Sequence, residues 1–308
     1  MKKVSQTTHS PYALSQFRFK LRSFFLLVPT NRMIVSEYEF HGIVVWILII
    51  GFIGVAWFLL GVEGVPYGRY GGNGNVVKTR SGGTISIFGN CGIPDIPARW
   101  AWMIQESPTL IWSVLCIYSS RHSDFQLNSA NVILLCMFTV HYVNRSLIFP
   151  WRCTPSKPTP FSVFVSAFAF CFINGYLQCR YLTHFNSYSQ DWIYSLQFFI
   201  GCVIFCTGSV INLMSDEILL NLRKTRNKKE YKIPKGFLFE YVSCPNYLGE
   251  IIEWTGFFIA SGSLCSFAFA LCTICNLGPR ALHHHQWYKN KFDQRYPSQR
   301  KALIPYLL

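Results

Sequence analysis

The chain reads as an all-α polytopic membrane protein, a bundle of seven transmembrane helices. Three observations predict it. The 308 residues are 51% hydrophobic and only 14% charged, where a soluble domain carries about 25% charged residues. The apolar residues gather into runs near the length of roughly 17–25 residues that a spanning helix needs. No run shows the period-two alternation of a β-barrel, which leaves helices as the spanning structure.

The runs fall, in order, over His41–Val62, Ala98–Ser119, Asn131–Phe149, Pro160–Gln178, Ile193–Met214, Tyr247–Ser263 and Leu264–Leu282. The last two nearly abut, so their division is the weakest boundary. Residues 1–33 form a basic tail around a short apolar run, Phe24 to Val28, too brief for the roughly 7–15-residue core of a secretory signal. That tail is expected to be poorly ordered, with the membrane domain occupying 34–308. The glycine-rich loop after the first run lacks the strand–turn–helix context of a nucleotide fingerprint.

The net charge of +14 is spread over loops rather than one patch, which fits membrane topology and not nucleic-acid binding. Arg223 to Lys235 holds seven Lys/Arg against the single acid Glu230. Positive-inside counting therefore puts this loop and the C-terminus on the cytosolic side. The sequon Asn144-Arg145-Ser146 lies inside the third run and is set aside. The twelve cysteines show no disulfide framework, and Cys272-x-x-Cys275 lacks the companions of a zinc site. His283, His284 and His285 are adjacent, so their side chains diverge by about 100° on a helix and cannot converge on one ion. No metal is expected.

Polar residues inside apolar helices are costly and point to function. In the second run Arg99, Trp102, Gln105 and Glu106 recur at helical spacing, just before Pro108. Glu106 either pairs with Arg99 for structure or is a buried acid that donates a hydrogen bond to a substrate oxygen. In the third run Tyr142 and Arg145 align, with His141 beside them; a mid-span tyrosine is often only an interface aromatic, but with Glu106 available a Tyr–Glu pair around a carbonyl is the sharper reading. Asn212, Ser215 and Asp216 align at the end of the fifth. Asn246, Glu250 and Glu253 form one stripe in the sixth, which lipid cannot partner. Arg280, His284 and Tyr288 share a face of the last helix, and a cation, an imidazole and a phenol suit phosphates and a ribose. The whole fits a lipophilic substrate entering from the bilayer lipids and a large anionic cofactor from the cytosol.

KIPKGFLFEYVSCPNYLGEIIEW, followed by RALHHHQWYKNKFDQRYPSQRKALIPYLL, closely resembles the steroid 5α-reductases. IPARWAWMIQESP, VHYVNRSLIFP, NGYLQCRYL and INLMSDEILLNLRK match the same family in the same order, from about Pro97 to Leu308. The resemblance implies a seven-helix fold in the endoplasmic reticulum membrane that reduces 3-oxo-Δ4-steroids with NADPH. It places Glu106 and Tyr142 at the steroid 3-keto oxygen, with Trp102 and Gln105 beside the substrate. It assigns Asn212, Asp216, Tyr231, Lys232, Asn246, Glu250, Arg280, His284 and Tyr288 to the cofactor, and more loosely Arg145 and Tyr67. Other readings are an enoyl-CoA or polyprenal reductase of the same superfamily, an isoprenylcysteine-type methyltransferase using S-adenosylmethionine, or a non-catalytic sterol binder or transporter.

Overall fold

The computed structural model describes residues 35–62, 76–78, 84–86, 94–123, 125–153, 158–224 and 231–308. The tail at 1–33 and Tyr67 lie outside them. The chain divides into two compact units, Met1–Glu37 and Tyr38–Leu308, and the helix packing that follows is internal to the second.

Seven long helices are present among the described residues: α1 Glu37–Gly61, α2 Ala98–Ser120, α3 Ser129–Val143, α4 Phe161–Arg180, α5 Leu196–Lys224, α6 Pro245–Ser261 and α7 Leu264–Phe292. Five are long and apolar enough to cross a membrane: α1, α3 with its continuation to Arg152, α4 with its continuation to Phe185, α5, and α7 to Arg295. α6 stops at 17 residues, and α2 is diluted by Arg99, Gln105, Glu106 and Pro108. The two helices that fall short carry Glu106, Glu250 and Glu253, so their low apolarity and their site residues have one cause. The glycine-rich loop contributes a two-stranded antiparallel ribbon, Val76–Lys78 with Thr84–Ser86, which the all-α expectation lacked.

Helix ends depart from the apolar runs where polar residues continue a helix. α5 runs ten residues beyond Met214 and α7 ten beyond Leu282, carrying Asp216 and the His284–Tyr288 stripe on rigid backbone. α3 passes into a π turn, Asn144–Ile148, and a last helical turn, Phe149–Arg152. α4 likewise ends in a π turn, Tyr181–Phe185. Pro108 deprives the Ile104 carbonyl of its usual donor, and the Ser107 hydroxyl donates to that carbonyl instead at 2.9 Å. This local repair lets the helix continue where no water is at hand.

α5 and α6 approach more closely than ordinary side chains permit. A Cβ added at Gly208 would lie 2.2 Å from the Glu253 backbone nitrogen, and one at Gly249 would lie 2.5 Å from that of Asn212. Gly256 faces Phe205, and Gly201 faces Ala260, in the same manner. Four glycines thus form a seam in which backbones touch, the small-residue packing that replaces hydrophobic driving force inside lipid. Gly262, with φ +60°, ends α6, and the Ser263 hydroxyl caps α7 by accepting from the Ser266 N–H.

The core between the helices is aromatic. Phe138 and Tyr142 of α3 pack with Trp254 and Phe257 of α6 and with Phe269 of α7; the Trp254 and Phe269 rings lie 4.2 Å apart. α1 docks on the far side through Val45 and Ile49 against Leu177, Cys265 and Ala268. Outside the spans, the Tyr188 hydroxyl donates to the Ser261 carbonyl at 2.7 Å. Burial pushes that phenol well up, so it stays a neutral donor. The C-terminal segment folds back on the strand-like stretch before α6: Ser243 N–H donates to the Lys301 carbonyl at 2.9 Å, and buried Arg300 donates to the Pro234 carbonyl at 2.9 Å.

Candidate active site

Two polar layers form within the bundle. The deeper one joins α2, α3 and α4. Tyr142 is buried at 4% exposure, and its phenol oxygen accepts from the Asn174 amide at 3.4 Å. Asn174 Oδ1 in turn accepts from Gln178, which also donates to the Cys265 carbonyl at 2.9 Å. With one lone pair of the phenol occupied by Asn174, its own proton is free to be donated elsewhere. Glu106 is near enough to Tyr142 to act on it electrostatically, and its Oε2 accepts from the Cys171 thiol at 3.3 Å. Gln105 is buried one position earlier. Arg99 does not pair with Glu106: its guanidinium lies over Trp151 and reaches the Cys153 carbonyl at 3.5 Å. A donor role for the acid is thereby left open, and the structural ion pair is not.

The second layer centres on Arg145, placed in the π turn. Its Nη1 donates to Asp216 Oδ2 at 3.2 Å, and its Nη2 stands 3.9 Å from Glu250 Oε2. The guanidinium lies against the rings of Trp102 and Phe149, each ring centre 5.0 Å from Cζ, and the two rings meet edge-on at 6.0 Å. Asn246 donates to Asp216 Oδ1 at 3.3 Å, and Asn212 donates to the Asn246 carbonyl at 2.9 Å. Glu250 keeps a fifth of its side chain exposed, and 3.9 Å exceeds a hydrogen bond, so its carboxylate retains acceptor capacity. These contacts answer the energetic problem of the Asn246–Glu250–Glu253 stripe: helices α3 and α5 supply the partners. Glu253 has its own: Oε1 accepts from Ser209 Oγ at 2.7 Å and meets His141 Nδ1 at 2.9 Å.

Towards the ends of α5 and α7 the residues diverge into smaller groups. His284 Nε2 lies 3.1 Å from the Tyr247 hydroxyl. Tyr288 is buried in an aromatic cluster with Phe292, Tyr296, Trp287 and Tyr231, stacked on Tyr296 at 5.4 Å. Lys232 is exposed beside it in sequence, and Arg280 is half-buried. Asn174, Gln178 and Cys171 were not among the residues singled out from sequence. The signal was present in NGYLQ, where two amides at i and i+4 share a face of an apolar helix. Among the described residues no group of three His, Cys, Asp or Glu could hold a metal ion.

Fold and site together make a helical membrane-type bundle in which a buried tyrosine, with an acid within electrostatic reach, lies beside a polar, cation-containing layer. Residues 157–308 match the family model described as 3-oxo-5-alpha-steroid 4-dehydrogenase. The chain is 44% identical over 255 residues to 3-oxo-5-alpha-steroid 4-dehydrogenase 1 of Bos taurus, covering 82% of this chain and 92% of that one. The Mus musculus protein of the same name is 50% identical over 215 residues, covering 69% and 82%. Steroid 5-alpha-reductase DET2 of Solanum lycopersicum is 37% identical over 275 residues, covering 88% and 98%. The chain belongs to the 3-oxo-5-alpha-steroid 4-dehydrogenase family and is an oxidoreductase.

Proposed function

We propose that the protein reduces the 4,5 double bond of 3-oxo-Δ4-steroids to 3-oxo-5α-steroids with NADPH; the names of its relatives, 3-oxo-5-alpha-steroid 4-dehydrogenase 1 and steroid 5-alpha-reductase DET2, support the steroid reaction. The observation that carries this reading is the Tyr142 phenol, fixed by Asn174 with its proton free and with Glu106 within electrostatic reach. A steroid 3-keto oxygen set between the two would meet the phenol O–H and the Glu106 carboxyl in its acid form. As the double bond is reduced, charge gathers on that oxygen, and each donor is worth about 2.7–4 kcal/mol by analogy with single oxyanion-hole donors. Trp102 and Gln105 border the substrate. Tyr142 or water delivers the proton to C4.

The second layer fits a nicotinamide dinucleotide by its donor set. Asn212, Asn246, Asp216 and Glu250 offer the acceptors and donors that a carboxamide and ribose hydroxyls need, with Arg145 held between them. Arg280, His284, Lys232, Tyr231 and Tyr288 lie towards the basic end of the bundle and suit the phosphates, with Tyr67 a further candidate outside the described residues. Bound there, the reduced nicotinamide supplies the hydride for C5. Seven spans, residence in the endoplasmic reticulum and a cytosolic C-terminus complete the reading, because the basic loop before residue 231 and α7's basic last turn then face the cytosolic NADPH pool. The steroid enters from the bilayer.

Microsomes expressing the chain, supplied with NADPH and a panel of 3-oxo-Δ4-steroids and enoyl-CoAs, test it. Steroid reduction with little enoyl-CoA consumption is expected. Consumption of enoyl-CoA alone would overturn the substrate.

A further inference from the structure

The reaction proposed above, on which this inference rests, adds a hydride to C5 and a proton to C4, so each turnover draws one proton from water. Tyr142 is buried, and a proton has to cross packed helices to reach it. A recess lies against His141, the residue before Tyr142. It has a volume of about 80 Å³ and opens between α3 and α5, lined by His141 and Asn144 on one side, Ser209 and Asn212 on the other, and Glu253 behind, with apolar side chains of both helices making up the rest of its wall. A water needs roughly 10–15 Å³ on this measure, so the recess accommodates several.

Glu253 at its inner wall is 2% exposed. Its Oε1 serves both Ser209 and His141, while its buried Oε2 has no hydrogen-bond partner. An unsatisfied carboxylate oxygen at the wall of a recess of this size needs donors, and water is the donor that fits. The polar lining is ordered along the helices: Asn144 and Asn212 stand one turn beyond His141 and Ser209, towards Arg145 and Asp216. The imidazole of His141 packs edge-on to the Tyr142 ring at 5.2 Å. The charged groups facing the couple are Arg145 from α3, Asp216 from α5 and Glu250 from α6, with Glu106 of α2 beyond Glu250; α7 sets only Phe269 against the neighbouring Trp254.

We propose that this recess is a water site, and that Glu253 and His141 are positioning residues that relay solvent protons through it to Tyr142. The proton leaves recess water, rests on the His141–Glu253 couple and passes by one bridging water to the Tyr142 oxygen. It replaces the proton whose O–H bond breaks as the C4–H bond forms. No other co-reactant is needed.

Glu253→Gln in the full-length protein tests it, with three readouts: turnover at saturating substrates across pH, steroid KM, and NADPH affinity by fluorescence titration. Turnover is expected to fall roughly 10²-fold, with the loss deepening as pH rises, while KM and NADPH affinity stay within about twofold. Glu253→Ala should regain turnover with added formate. Ser209→Ala, a milder change, should shift the pH profile in the same direction should Glu253→Gln fail to fold. A pH-independent loss with NADPH affinity falling in parallel, or unchanged turnover, would overturn the relay. Wild-type protein that binds NADPH and reduces no 3-oxo-Δ4-steroid would instead sink the reaction itself, and the relay with it.

Discussion

At the scale of single residues, the reading turns on hydrogen bonds made at one oxygen. Glu106→Gln keeps an amide donor at the position and should retain part of the wild-type kcat. Glu106→Ala should lose about 10²–10³-fold, the usual cost of an oxyanion donor. A Gln variant as inactive as the Ala variant, with NADPH bound normally, would assign Glu106 to proton supply. Asn174→Leu leaves the phenol oxygen without its amide and should lower kcat more than it raises steroid KM. Arg145→Lys replaces a planar guanidinium lying against the Trp102 and Phe149 rings by a compact ammonium. NADPH affinity should then drop, by tenfold or so, because Lys cannot reproduce that stacking. Most of these residues were legible in the sequence, since an ionisable or amide group in an apolar helix is conspicuous. Asn174 escaped because its neighbours are aromatic and apolar, and its importance lies in a contact with a helix distant in sequence. Glu253 was conspicuous yet unpartnered in the sequence, because His141 was read only as the residue beside Tyr142.

The helices themselves were legible as apolar runs, and all seven runs correspond to one. Their ends were not. Apolarity stops where a helix leaves lipid, whereas hydrogen bonding continues, so α5 and α7 each run on by nearly three turns. Two π turns left no mark in hydropathy. The glycine seam was equally silent, because GxxxxxxG spacing announces closeness only once both helices are paired. It makes a sharp prediction. Gly208→Ala puts a methyl group into the Glu253 backbone and should destabilise the detergent-solubilised protein by about 1–3 kcal/mol, read as a lowered Tm. Gly51→Ala, with nothing within 4 Å of the added carbon, should leave Tm unchanged within error and serves as the control.

For the whole molecule, the membrane fold and the cofactor should appear in one measurement. NADPH at about 100 times its Kd should stabilise the protein by about 2.7 kcal/mol, raising Tm, and S-adenosylmethionine should not. Cysteine-accessibility labelling of a residue placed after Leu308 should mark it from the cytosolic side; lumenal labelling would reverse the topology. The order of charged loops in the sequence is what predicts that orientation.

The π turn of α3 has a consequence for phase. Each added residue turns a helix by about 100°, so a joint between Tyr142 and the last turn of α3 sets the clocking of one against the other. On that last turn Phe149 backs Arg145, Trp151 backs Arg99, and Arg152 reaches Glu217. Deleting Leu147 would leave the tyrosine pointing at Asn174 while swinging all three contacts out of alignment. One missing residue would then uncouple the Tyr142 end of the helix from its last turn, with no side chain at either end replaced.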